Sequence, residues 1–525
     1  MVQATVLPRS RKIALSPELT AVLTGITFLV AAGMTILHRH FYDDETINAS
    51  YLLRYDLSGL IHRAQTTDVH PPLQYIANWL TYHAFGSLEA IWCVNACVVA
   101  AATSYFVWAL SARVPDWRGR LVLVLTSGLN PSLLLWCVSL RWYAYWVPLS
   151  MVIVTLLYLR PRTKSTLWWV AGLSALDFYV GYLTILFLCS IVVVELIFSR
   201  TKPSPRILAA MAGVSLTILP QLVIFVKVHL PQSRAQTSHN FLKLVEKAVS
   251  GALLGPGLFP GSVLAGAMVL GLLACFGAAL YKDWKASRAK AADFLRSMDP
   301  LLAFALVMLT AEVASGIAVK ERNSIIVQVA LWAWLSVRLF DLVLPIALGG
   351  SLIWLTGLLV GARNLATCQD TGKPSYNLPI YEVLNQIKLD ARRRGVPLDQ
   401  VYVVTWNDPF TLYGRLADLN MVSPFMRDPD QSAKPLYRMF VPKAHMVVLL
   451  TTGQQGWNGE MWQSALTMKS KTLADLAETK EDRFGYDPRF KLESKLTGTQ
   501  ELPYMIYYES GISTQDISLE WRGLW

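Results

Sequence analysis

The chain has 525 residues, 54% of them hydrophobic and only 16% charged, with a mean hydropathy of +0.38. A soluble globular domain carries about 25% charged residues, so this composition excludes a soluble enzyme held by a single anchor. The net charge of +11 invites a nucleic-acid reading, which the distribution of that charge then removes.

Apolar runs recur over the first 360 positions, at roughly 18–37, 89–111, 120–139, 142–160, 166–181, 182–199, 207–228, 262–281, 300–318, 324–338 and 343–361. These are about eleven segments, each near the length that crosses a ~30 Å hydrocarbon core. With the N-terminus cytoplasmic, the inside segments hold Arg9, Arg11 and Lys12, then Arg113, Arg118 and Arg120, then Arg160, Arg162 and Lys164. Arg200, Lys202, Arg206, Lys282, Lys285, Arg288, Lys290, Arg296 and Arg338 follow on the same side. About 18 basic residues against about five acidic ones is the positive-inside pattern. The excess charge is therefore a topology signal, and no nucleic-acid partner is expected. The first run is long and lacks a small-residue cleavage site, so it reads as an uncleaved span. The predicted fold class is a polytopic α-helical membrane protein with about eleven transmembrane helices over 1–362. An exterior α/β domain follows over 363–525.

Cysteine carries little information. Cys93, Cys97, Cys137, Cys189 and Cys275 fall in or near apolar spans, and Cys368 stands alone beyond them, so the C-terminal region has no internal disulfide. There is no CxxC, no metal-spaced Cys/His set, no Walker loop and no GxGxxG. No internal repeat supports a transporter of inverted halves.

The first exterior loop, 38–88, is too long for a simple connection. Just past the first span it reads HFYDDETINAS, with Asp43, Asp44 and Glu45 in succession. Short amphipathic stretches follow near Ile47–Tyr55 and Leu57–Ala64, the second with Asp56 as its N-cap. Leu52, Leu53, Leu57, Leu60 and Ile61 are expected to lie on the membrane surface. Then comes DVHPPLQYIANWL. The proline after His70 extends its backbone, and the second proline suits the first turn of a helix. Leu73, Ile76, Ala77 and Leu80 recur at helical spacing, Gly86 ends that helix, and Ser87 with Glu89 begins the next. Asp68 and His70 thus stand on a stiff corner. Taken alone, a capping aspartate and an interfacial histidine explain them equally well.

An acidic pair just after the first span, followed some 25 residues later by D-x-HPPL, resembles the GT-C superfamily of polyprenyl-phosphate-sugar-dependent glycosyltransferases. That group includes protein O-mannosyltransferases and the aminoarabinose transferases of lipid A. The resemblance continues in NPSLLLWCVSLRWYAYW, where Pro131, Arg141 and Tyr143 match, while Ser139-Leu140 replaces the usual acidic residue and Ala. A third match keeps Arg322 in Lys320-Glu321-Arg322-Asn323 without the usual Tyr. The likeness covers roughly residues 15–345.

It implies transfer of a sugar from a polyprenyl-phosphate donor in the bilayer to the hydroxyl of a glycan, lipid or protein acceptor. Asp44 is the implied general base, with Asp43 as its neighbour and substitute and Glu45 in an orienting role. Adjacent carboxylates in a partly dry site repel, which is expected to raise one pKa. The leaving phosphate needs fixed cations, and Arg141, Arg322, Lys320 and His70 are the candidates. Snorkelling to lipid headgroups is the competing account of the three long cations, and a structural histidine that of His70. Asp68, Tyr143, Asp177 and Tyr179 are placed around the same cavity, with an ion pair to Arg141 the equal alternative for Asp177. Asp43, Asp44 and Asp68 are able to hold a divalent cation, but no metal box is present, and basic residues are available to neutralise the phosphate instead. Asn48-Ala49-Ser50 is the N-x-S/T site, and a glycan there would crowd the proposed site. A bacterial inner membrane is therefore expected.

The loop near 229–261 carries a helical stretch at Phe241–Leu254 and the segment GPGLFPG, in a position suited to a lid. Beyond 363 the sequence predicts a helix over Tyr381–Arg394 ended by Gly395, and strands at 401–406, 445–452 and 503–510. Such a domain either shapes the acceptor site, with Trp406 or Trp457 stacking on a sugar, or serves packing alone. A lipid-sugar transporter and a non-catalytic envelope-assembly partner are the competing functions.

Overall fold

The computed structural model describes residues 15–41, 43–66, 70–114, 116–161, 163–198, 205–229, 263–286, 298–316, 321–339, 342, 344–366, 380–393, 395–405, 408–422, 436–441, 446–452, 490–497, 503–509 and 517–522. The expectations for Asp68, Lys320, the side chain of Asp43, the 230–261 loop, Cys368, Trp406 and Trp457 lie outside the described residues. The chain divides into two compact units, Met1–Arg39 with Tyr55–Gly372, and His40–Arg54 with Lys373–Trp525.

The first unit is helical. Helix α1 (Pro17–His38) starts where the Ser16 hydroxyl accepts from the Leu19 N–H at 3.1 Å, with Pro17 in the first turn. Both features suit a helix start, since the hydroxyl satisfies an orphan N–H and proline has none to lose. The second unit's first helix, α2 (Asp43–Arg54), comes next in the chain, followed by α3 (Leu57–Thr66), α4 (Leu73–Phe85) and α5 (Glu89–Ser111). The Asp56 carboxylate caps α3 through the Gly59 N–H at 2.7 Å. Gly86, at φ 68°, ends α4 and donates to the Tyr82 carbonyl at 2.7 Å. The Ser87 hydroxyl then accepts from the Glu89 N–H at 3.1 Å to begin α5. Leu52 and Leu60 are buried in protein, so these two do not form the surface-lying face expected of them.

Among the described residues, four helices are long and apolar enough to cross a membrane: Pro17–His38, Glu89–Ser111, Gly266–Lys285 and Pro345–Leu365. Ala209–Thr217 and Leu219–Lys227 meet the same test as a pair bent by 59°. Pro220, in the first turn of the second piece, lacks the N–H that would continue the helix. Tyr143–Leu159, Thr184–Leu196 and Pro300–Ala314 are shorter apolar helices. The run read as one span over 120–139 is broken. Trp117–Gly128 is α-helical, Asn130 turns the chain by accepting from the Leu133 N–H at 3.1 Å, and Leu133–Cys137 is a single π-helical turn.

The ends of these helices sort into two groups. At one end, Arg113 pairs with Asp299 at 3.7 Å and Arg338 with Asp283 at 3.3 Å. Arg113 also donates to the Tyr158 carbonyl, and Arg120 to the carbonyls of Leu15 and Val114. These are residues the charge count assigns to one side of the membrane. Helices leaving this basic end, Trp117–Gly128 and Pro300–Ala314, deliver the 138–142 turn and the Glu321–Ser324 turn to the opposite end of the unit.

In the second unit, α2 packs on the helix Asp408–Leu416. The rings of His40, Tyr381 and Tyr413 meet edge to face at 5.2–5.5 Å, and the Phe41 N–H donates to the Tyr413 hydroxyl at 3.1 Å. Strands β1 (Val401–Thr405), β2 (Asn420–Val422), β4 (Met446–Thr452), β5 (Phe490–Thr497) and β6 (Pro503–Glu509) form one sheet in the order β2-β1-β4-β6-β5. The β2-β1-β4 part is parallel and β4-β6-β5 antiparallel. Strands β3 (Leu436–Val441) and β7 (Ile517–Arg522) pair antiparallel in a second sheet. The helix expected near 381–394 is Ile380–Arg393, closed by Gly395 at φ 67°.

Candidate functional site

The site of the first unit is built on the non-helical turn at 138–142. A turn enclosed in an apolar bundle needs partners for its backbone carbonyls. Here side-chain amides supply them. Gln74 and Asn78, one turn apart on α4, both donate to the Leu140 carbonyl, at 2.8 and 3.3 Å. Asn95 on α5 donates to the Ser139 carbonyl at 2.7 Å. Asn78 in turn accepts from the Tyr145 hydroxyl at 3.0 Å. All three amides are fully buried.

This turn holds Arg141, which is only 9% exposed. Its guanidinium lies 2.9 Å from His70 Nε2. A guanidinium only donates, so Nε2 is the acceptor in this bond. The His70 ring also meets Trp142 edge-on at 6.0 Å. Arg322, from the turn Glu321–Ser324, places its guanidinium over two rings of the same segment, Trp136 at 5.6 Å and Tyr143 at 5.5 Å. Four of the sequence-predicted residues, His70, Arg141, Tyr143 and Arg322, therefore meet around one short stretch of chain.

Asp177 stands one layer behind. Its Oδ2 accepts from the hydroxyls of Thr184 at 2.9 Å and Ser150 at 3.2 Å, and Thr184 accepts from the Trp146 indole at 3.1 Å. Asp177 makes these hydroxyl contacts rather than the ion pair with Arg141. Just beyond it, Gly181 lies so close to Trp142 that a Cβ would fall 2.6 Å from the indole ring. Tyr179 points elsewhere, donating to the Thr217 carbonyl at 3.3 Å.

The acidic segment lies on α2, in the second unit. Asp44 is half-buried, Glu45 is enclosed, and Asn48 of the N-x-S/T site is fully buried, an environment no glycosylated asparagine would share. Among the described residues no cluster of three or more His, Cys, Asp or Glu side chains is arranged to hold a metal ion.

Two guanidinium groups, an imidazole and several ring faces make a place suited to a phosphate with an apolar or sugar neighbour. Sequence reasoning missed Gln74, Asn78 and Asn95. The signal available was amides inside apolar helices, two of them at i,i+4 spacing, where a buried amide demands a partner.

No family model matches the sequence, and no curated protein matches it. Solved structures do resemble the fold. ArnT from Cupriavidus metallidurans bound to undecaprenyl phosphate superposes with a TM-score of 0.51 at 11% identity, covering 94% of this chain and 98% of that one. The same protein in the apo state gives 0.52 at 11% identity, covering 93% and 97%. The archaeal oligosaccharyltransferase AglB from Archaeoglobus fulgidus, in complex with an inhibitory peptide and a dolichol-phosphate, gives 0.42 at 12% identity, covering 78% and 64%. The two ArnT superpositions, which run over nearly the whole of both chains, show that this chain shares the fold of that protein.

Proposed function

We propose that the chain is an integral-membrane glycosyltransferase that moves a sugar from a polyprenyl-phosphate donor to an acceptor hydroxyl on the outer side of a bacterial inner membrane. The observation that carries this reading is the meeting of Arg141 with His70 at 2.9 Å beside the Arg322 guanidinium stacked on Tyr143. It gains support from the fold shared with a protein crystallised with undecaprenyl phosphate.

In this mechanism the acceptor oxygen attacks the anomeric carbon, and the carbon–oxygen bond to the donor phosphate breaks with inversion. Asp44 takes the hydroxyl proton, with Asp43 its neighbour and Glu45 fixing the segment. Arg141, Arg322, Lys320 and His70 hold the departing polyprenyl phosphate, whose charge they offset. Asp68 and Tyr143 line the cavity, and Asp177 supports it from behind. The proposal includes about eleven spans, a cytoplasmic N-terminus, and an exterior α/β domain that shapes the acceptor site.

The test compares envelope glycans by mass spectrometry in cells lacking the gene, complemented with wild type, Asp44→Asn or Asp43→Asn. A sugar lost on deletion and restored by wild type but not by Asp44→Asn is the expected result. Full restoration by both variants at normal expression contradicts the acid–base role and favours transport or assembly.

A further inference from the structure

We infer that Glu312 is a positioning residue, acting through Ser324 to hold Arg322 against Trp136 and Tyr143. This deepens the phosphate-binding reading of Arg322 and rests on it.

Glu312 lies in the last turn of the helix Pro300–Ala314 and is fully buried. Ionisable groups deep in a membrane bundle are costly and call for a functional account. Its Oε2 accepts from the Ser324 hydroxyl at 2.6 Å, while Oε1 has no hydrogen-bond partner. Ser324 is itself fully buried and occupies the N-cap of the helix Ile325–Arg338.

A serine at that position ordinarily turns its hydroxyl oxygen to the helix's own first N–H groups. Here it makes no such bond, and the hydroxyl is committed to Glu312 instead. At 2.6 Å this is a short hydrogen bond. It ties the end of one helix to the start of the next, across the tight 3₁₀ turn Glu321–Ser324. Arg322 sits two residues from the tie, inside that turn. The carboxylate therefore fixes the backbone from which the guanidinium reaches its two rings.

The experiment uses the full chain in lipid nanodiscs and undecaprenyl phosphate as the probe, with affinity and thermal stability measured together. Ser324→Ala should weaken binding about tenfold. Ser324→Thr, which keeps the hydroxyl, and Glu312→Gln, which keeps an acceptor oxygen, should stay within about threefold of wild type. In an Arg322→Ala background, Ser324→Ala should weaken binding no further, because its effect passes through the missing guanidinium.

If Ser324→Ala does not fold, Ser324→Gly, a tolerated N-cap, takes its place with the same expectation. Unchanged affinity in Ser324→Ala, or equal losses in both backgrounds, overturns the positioning role while leaving the phosphate reading intact. Unchanged affinity in Arg322→Ala alone overturns the phosphate reading of Arg322, and this inference falls with it.

Discussion

The two ends of the helical unit use their arginines differently. At the basic end, Arg113 and Arg120 hold the structure themselves, donating to the carbonyls of Tyr158, Leu15 and Val114, and Arg113 meets Asp299. At the opposite end the comparable work is done by neutral amides, Gln74, Asn78 and Asn95, which satisfy the carbonyls of the 138–142 turn. There the arginines face an imidazole and aromatic rings. The contrast is between cations bonded to carbonyls of the fold and cations set against an imidazole and aromatic rings.

That contrast is breakable by substitution. The largest effect is expected at Arg141: Arg141→Ala should lower sugar transfer by about 10²–10³-fold, the scale of losing one preorganised charge donor, with little change in melting temperature. A large loss of stability with proportionate loss of transfer would place Arg141 with the fastening group.

Next is Gly181→Ala. The added Cβ would enter the Trp142 ring, which must shift from the position in which it meets His70. Overpacking of this kind costs about 1–3 kcal/mol. Chemical or thermal unfolding should show that loss together with weakened undecaprenyl phosphate binding, and an unperturbed affinity would mean the ring's place is unimportant.

Asn95→Ala removes the donor to the Ser139 carbonyl and should destabilise by about 1–3 kcal/mol. Transfer should fall beyond what the folded fraction explains, because the turn carrying Arg141 loosens. The smallest effect belongs to Arg113→Ala. It loses the partly exposed ion pair with Asp299 and the bond to the Tyr158 carbonyl, and should cost about 1–2 kcal/mol with transfer per folded molecule unaltered.

Much of the helical framework was readable from residue order. The apolar runs at 18–37 and 89–111 correspond closely to α1 and α5 because each run has its own start signal, Ser16-Pro17 and Ser87-x-Glu89. The turn at Gly86 was readable for the same reason, since a left-handed helix end selects glycine. The 120–139 run was read as continuous because hydropathy does not register that Asn130 and Pro131 interrupt the ladder.

For the site, the family resemblance around His70, Arg141 and Arg322 singled out the cations, but their meeting is tertiary. No local pattern says that Arg322 lies on Tyr143. Asp177 left two readings open, and hydroxyls from Ser150 on the preceding helix and Thr184 on the following one settled its partners. The amides were illegible because a single Asn in an apolar helix looks the same whether it bonds to its own helix or to a neighbour's turn.

The most direct test of the account is photo-crosslinking of the purified chain with a diazirine-bearing undecaprenyl phosphate analogue, labelled near the phosphate, followed by peptide mapping. Adducts concentrated in 133–143 and 321–328, and lost in Arg141→Ala, are predicted. Adducts confined to the basic end, around Arg113, Arg120 and Asp299, or an unchanged pattern in Arg141→Ala, would contradict it.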